Sequence, residues 1–165
     1  MVFAYYNRLN NRQKRIYRES DKVAAIPLPE AHRFQPLIAP LEAALKNEQR
    51  AKTEAVCQEL VNGMTEALKV PPVRIKVLAA RPHGNWGELH GLYNPEEGRI
   101  PAKITVWMRT AQRRKVVAFK SFLRTVLHEL GHHLDYTLLE LPETFHTEGF
   151  YKRESSLFHQ LMTQE

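Results

Sequence analysis

Between Pro101 and Pro142 the chain carries no proline. Proline removes a backbone donor and clashes with the preceding turn, so this stretch is free to form a long helix. Phe119, Leu123, Val126, Leu130 and Leu134 recur in it at helical spacing, and Leu127 and Leu138 widen the stripe. The pattern predicts a helix that buries one face in a core. His128, Glu129 and His132 fall on the opposite side of the wheel. Residues four apart lie one turn apart on the same face, so the two imidazoles point the same way.

The run His128-Glu129-Leu130-Gly131-His132 has the HExxH spacing. Two imidazoles so placed can hold one zinc ion, each at about 2.0–2.1 Å. Glu129 is rotated by roughly 100° from His128, which sets it beside the metal, where a general base for an activated water belongs. A catalytic zinc usually takes three protein ligands. Three residues compete for the third place. Asp135 shares the face of His128 but lies too far along one straight helix. It suits a carboxylate hydrogen-bonded to a ligand imidazole, or a solvated surface group. His146 follows the turn-like stretch Glu140-Leu141-Pro142-Glu143-Thr144 and precedes a second helical pattern built on Phe150, Leu157, Phe158 and Leu161. Glu154 sits within that apolar stripe, where an unpaired carboxylate is costly, so it needs the metal, Arg153 or a ligand histidine as partner.

From Leu127 to Leu161 the chain resembles the SprT-like and YgjP-like small zincins. Their pattern is HExxH, a short connection, then His-x-x-x-Phe opening the next helix. The matching residues are His128, Glu129, His132, His146 and Phe150, with the aromatic Tyr151 following. Thr147 stands where SprT-like chains usually carry glycine, and no cysteine-rich zinc ribbon is present. The resemblance implies zinc held by His128, His132 and His146, with Glu129 as catalytic base. It favours His146 over Glu154, which would act as third ligand in a gluzincin arrangement.

The chain has 165 residues, which predicts one domain, 1–165, with a helical part over about 1–70 and a sheet and catalytic part over about 71–165. Helices are expected over Asn10 to Glu19, Leu37 to Leu45 and Lys52 to Leu68, the last on the stripe Val56, Leu60, Met64 and Leu68. Val70-Pro71-Pro72 ends that region. Arg74 to Ala80 and Lys103 to Met108 read as strands. Between them lie Trp86 to Tyr93, with glycines at 84, 87 and 91, and the turn Asn94-Pro95-Glu96-Glu97-Gly98. The expected fold class is α+β, a minimal zincin-like domain with N-terminal helices, a small sheet, the HExxH helix and a closing C-terminal helix. Leu89 to Tyr93 or Ile104 to Met108 is the strand that edges the cleft and pairs with an extended substrate. His83 and His90 are assigned no role.

Cys57 is the only cysteine, so no intramolecular disulfide forms, and its apolar neighbours predict a buried thiol. No apolar run approaches a membrane span and no secretory h-region is evident, so a cytoplasmic location is expected. The formal charge is +6. Arg109, Arg113, Arg114, Lys115, Lys120 and Arg124 form one basic cluster; Arg8, Arg12, Lys14, Arg15 and Arg18 form another. A solvated basic face, with weak nucleic-acid association at most, is the expected consequence.

The expected function is zinc-dependent hydrolysis of a peptide or protein substrate. Arg153, Tyr151 and Tyr93 are the candidate donors to the oxyanion. Arg153 lies seven residues after His146; its other reading is an ion pair with Glu154 or Asp135. The rival class is a basic binding module that keeps a structural metal without hydrolysing peptides.

Overall fold

A computed structural model of the protein describes residues 1–84 and 87–162. Asn10 opens the first helix, α1 (Asn11–Asp21), through a capping box with Gln13. Its side chain accepts from the Gln13 amide while Gln13 returns the bond to the Asn10 amide, satisfying two otherwise orphaned donors. Two further helices follow, α2 (Ile38–Lys46) and α3 (Arg50–Ala67). Strand β1 (Arg74–Ala80) comes next, then the short antiparallel pair β2 (His83–Gly84) and β3 (Gly87–Glu88). β4 (Gly91–Asn94) and β5 (Lys103–Arg109) complete the strands. The chain then enters α4 (Phe119–Thr137) and closes with α5 (Glu148–Met162). The fold is mixed α+β. Trp86 lies outside the described residues, as does the side chain of His83.

The main sheet has the order β1-β5-β4. β1 runs parallel to β5, with Ile75 opposite Ile104 and Val77 opposite Val106. β4 runs antiparallel to β5, with Gly91 opposite Val106 and Tyr93 opposite Ile104. β5 is therefore the interior strand, and Ile104 to Met108 are all buried. A strand covered on both faces reads as a continuous apolar run, which is how this segment reads.

The two outer strands are treated differently. α3 lies along the free edge of β1 and seals it with side chains. Gln58 donates to the Val73 carbonyl at 3.0 Å and accepts from the Ile75 amide at 2.7 Å. Glu54 accepts from the Val77 amide at 2.9 Å, and Arg50 donates to the Val77 carbonyl at 3.0 Å. An exposed strand edge is a template for further pairing, and these polar groups close it. The outer edge of β4 receives no such cover from the described residues.

The core joins both halves of the chain. Leu41, Leu45, Leu60 and Met64 from α2 and α3 meet Phe122, Leu123, Leu127 and Leu130 from α4 around the buried sheet face. Burying each such side chain contributes about 1.5–3 kcal/mol. Cys57 is buried in this core. Among the described residues, no helix is long and apolar enough to cross a membrane.

Candidate metal centre and cleft

α4 buries Phe122, Leu123, Val126, Leu127, Leu130 and Leu134 and turns His128 and His132 to the other side. It ends at Thr137, and Glu140 takes a positive φ of 54° as the chain reverses. The returning segment carries His146 back over α4 just before α5 begins. The Nε2 atom of His146 lies 3.1 Å from Nε2 of His128 and 3.0 Å from Nε2 of His132. The three side chains stand close enough to hold one metal ion, their ligand atoms all within 4.8 Å of one another.

Phe150 forms the floor beneath them. Its ring centroid is 4.9 Å from that of His128, 4.8 Å from His132 and 5.2 Å from His146. Gly131 makes room for it: a Cβ at that position would come within 3.0 Å of the Phe150 ring.

The outward-facing nitrogens fix the tautomers. Nδ1 of His128 is 2.8 Å from Oε1 of Glu154. A carboxylate only accepts, so Nδ1 carries the proton and Nε2 offers a lone pair. For His132 the relay has one more step. Thr144 donates its hydroxyl to Oδ2 of Asp135 at 2.7 Å, so its oxygen accepts from Nδ1 of His132 at 2.8 Å. Nε2 of His132 is then also a lone pair. Asp135 is wholly buried, and burial pushes its carboxyl above the ordinary value against the pull of Thr144 and Arg153. The Arg153 guanidinium, permanently charged and itself buried, lies 3.0 Å away and requires the anion.

The proton count inside the triad does not close with imidazoles alone. His146 can direct one N–H at only one of its two neighbours. The other contact, near 3 Å, is left with no hydrogen between the two nitrogens. A cation held between the three nitrogens would give each of them a lone-pair partner. Ligands at about 2.0–2.1 Å in tetrahedral array stand about 3.4 Å apart, a few tenths from the two separations between His146 and its neighbours. Burial, reinforced by His146 and His128, pulls His132 down to about 3, and burial with His128 lowers His146 also. Neutral imidazoles are the ligating form. The donor set therefore fits a borderline divalent metal such as zinc.

The triad opens into a cleft of about 710 Å³. β4 and the preceding Glu88 to His90 form one wall, α4 the floor, and Thr144, His146, Tyr151 and Glu154 the other side. Glu129 lies in the floor at 8% exposure. Burial raises its carboxyl above the usual range, opposed by His128 and aided by Glu154. Gly91 brings β4 against it: a Cβ there would sit 2.7 Å from Thr125 and 3.0 Å from the Glu129 carboxylate.

Several expectations from the sequence change here. Arg153 does not line the cleft. Its guanidinium donates to the carbonyls of Ser20 and Val23, the Ser20 hydroxyl and Asp135. The helical count from His146 failed because His146 precedes α5 and shares no helix face with Arg153. Of the two readings of Arg153, the ion pair with Asp135 is the one present. Tyr93 lines the cleft, but its hydroxyl is spent. His133 Nε2 is 2.7 Å from the Pro71 carbonyl and must donate, so Nδ1 accepts from Tyr93 at 2.8 Å. Tyr93 is pushed up to about 12, chiefly by burial. Tyr151 lies at the rim, 42% exposed, its ring 5.8 Å from His146. Glu154 stands behind His128, on the side of the ring away from the triad. Asp135 is buried rather than solvated, and it reaches His132 through Thr144. No feature of the turn sequence marked Thr144 for that place. His90 lines the cleft.

Comparisons with family models, with curated proteins and with solved structures return no match.

Proposed function

We propose that the protein is a zinc-dependent peptidase with a zincin-like fold, of the SprT-like and YgjP-like kind. The observation that carries this reading is the convergence of three Nε2 atoms beside a buried glutamate in an open cleft. Zinc held by His128, His132 and His146 would supply a Lewis acid and bring the pKa of a water towards 7.

The chain's own groups supply the rest. Glu129 takes the proton from the attacking water and passes it to the leaving amine. As a carboxylate it accepts that proton and, once protonated, it donates, so one group serves as base and then acid. Glu154 and the Thr144–Asp135 pair hold two of the imidazoles in the ligating tautomer. The outer edge of β4 offers backbone donors and acceptors to an extended peptide. β5 is ruled out for that part, since both its edges are paired. Tyr151, at the rim of the cleft with its ring 5.8 Å from that of His146, is the candidate donor to a developing oxyanion. Its hydroxyl has no hydrogen bond among the described residues.

The test is Glu129→Gln in the zinc-loaded protein. Glutamine keeps the shape and cannot accept the proton. The variant should retain one zinc per chain by elemental analysis and lose cleavage of a casein-type substrate by at least ~100-fold. Undiminished cleavage removes Glu129 from the mechanism. A zinc-loaded parent that cleaves no peptide in a mixed library favours the binding-module reading.

A further inference from the structure

His128 and His132 are each oriented from behind, by Glu154 and Thr144. Nδ1 of His146 has no such partner among the described residues. His146 also sits outside α4 and α5, in the irregular segment between them. Its position at the triad then depends on how firmly its backbone is held, because ordering a mobile segment on metal binding costs conformational entropy.

The first 21 residues hold that segment along its length. The Tyr5 hydroxyl donates to the backbone carbonyl of His146 at 2.8 Å. Arg12 and Gln13 donate to the Glu143 carboxylate at 3.1 and 3.3 Å. The Tyr17 ring lies 6.4 Å from that of Phe145. Ser20 and Thr147 share a hydroxyl–hydroxyl bond at 3.3 Å, and Asp21 accepts from the Gly149 amide at 2.8 Å. Tyr5 is itself fixed edge-on against Tyr17, with centroids 5.7 Å apart. It belongs to the 3-10 turn Ala4–Arg8, which lines no part of the cleft.

We infer that Tyr5 is a positioning residue for the third metal ligand: by holding the His146 carbonyl it fixes the backbone from which that imidazole reaches the triad. The inference rests on the metal-centre reading above. It makes metal affinity depend on a residue 141 positions away in sequence.

The experiment uses the full chain and compares the parent, Tyr5→Phe and Tyr6→Phe. Phenylalanine at position 5 keeps the packing on Tyr17 and removes only the hydroxyl. Tyr6→Phe removes a hydroxyl from the same turn that meets Arg18 and not the ligand segment. Zinc affinity is read by competition with a chromophoric chelator, and coordination by the visible spectrum of the cobalt(II) form. Tyr5→Phe should still bind one metal, with affinity lower by about five- to tenfold, tenfold being 1.4 kcal/mol. Its cobalt spectrum should shift, and the melting temperature of the metal-free protein should stay near the parent's. Tyr6→Phe should match the parent in affinity and spectrum. Parent-like affinity and spectrum in Tyr5→Phe overturn the inference and leave the metal centre standing. An equal loss in Tyr6→Phe also overturns it, because the effect is then general to the turn. A parent protein that takes up neither zinc nor cobalt overturns the metal-centre reading and this inference with it.

Discussion

His132 and His133 are chain neighbours with the same side chain, and the fold gives them unrelated work. His133 is 2% exposed and spends both ring nitrogens on Pro71 and Tyr93. His132 spends one on Thr144 and turns the other to the triad. The i, i+4 rule distinguishes them in the sequence, because only His132 shares a face with His128. Thr144 was not legible, since its role depends on a chain reversal that brings it over Asp135 from nine residues away. Thr144→Val tests that role. Valine has a similar shape and no hydroxyl, leaving the His132 Nδ1–H and one Asp135 oxygen without their bonds. Stripping a buried group of its partner costs about 1–3 kcal/mol. Loss of a partner behind a ligand typically costs 10–100-fold in metal affinity. Chelator competition and thermal melting should show both losses. Unchanged affinity would mean that Thr144 does not orient His132.

The elements divide by how local their causes are. α1 was readable from its amphipathic pattern, though not its Asn10 cap, and β1, β5 and α4 from apolar patterning over six or more residues. The bounds of β1 match the sequence reading, those of β5 differ by a residue, and α4 begins at Phe119, the first residue of the apolar stripe. Which strand would edge the cleft was not readable. That depends on α3 sealing β1 and on β5 lying between its partners, both long-range outcomes. The packing of α1 on α5 was equally hidden, and Gly149 explains it. A Cβ there would stand 2.7 Å from the Asp21 carbonyl oxygen and 2.9 Å from the Asp21 Cα and the Ser20 oxygen. These are backbone atoms and cannot turn aside. Gly149→Ala gains up to about 1 kcal/mol in helix propensity, but separating the helices costs more, about 1–3 kcal/mol or above. A chain of this size loses about 2–4 °C in melting temperature per kcal/mol, so a fall of several degrees is expected. A melting temperature at or above the parent's would show that α1 is not tightly seated on α5.

Taken whole, the molecule divides its labour across the sequence. The cleft is lined by residues between Glu88 and Glu154, while residues 1–70 supply core, edge seal and anchorage. The net charge of +6 must be judged against the same architecture. Many of the basic side chains are already engaged. Arg109 donates to Glu48 at 2.6 Å, and Arg124 stacks 4.0 Å over the Phe158 ring. Arg12 meets Glu143, Arg18 meets Tyr6, and Lys14 lies over the Tyr6 ring. The exposed turn after β5 carries Arg113, Arg114 and Lys115, with Lys120 exposed at the start of α4. Four cations acting together on duplex DNA release counterions with a log–log salt slope of about −0.9 per phosphate contacted, so roughly −3.6 in all. Fluorescence anisotropy with labelled duplexes of two unrelated sequences, between 50 and 200 mM salt, should give a slope no steeper than about −4 and no preference for either sequence. Phosphate contacts position a protein without reading bases, and no base-reading motif accompanies this charge. Single- or double-stranded DNA should therefore leave peptide cleavage unchanged at moderate salt. Stimulation by DNA that survives moderate salt would defeat the solvated-face reading and move the substrate class from general peptides to proteins bound on DNA.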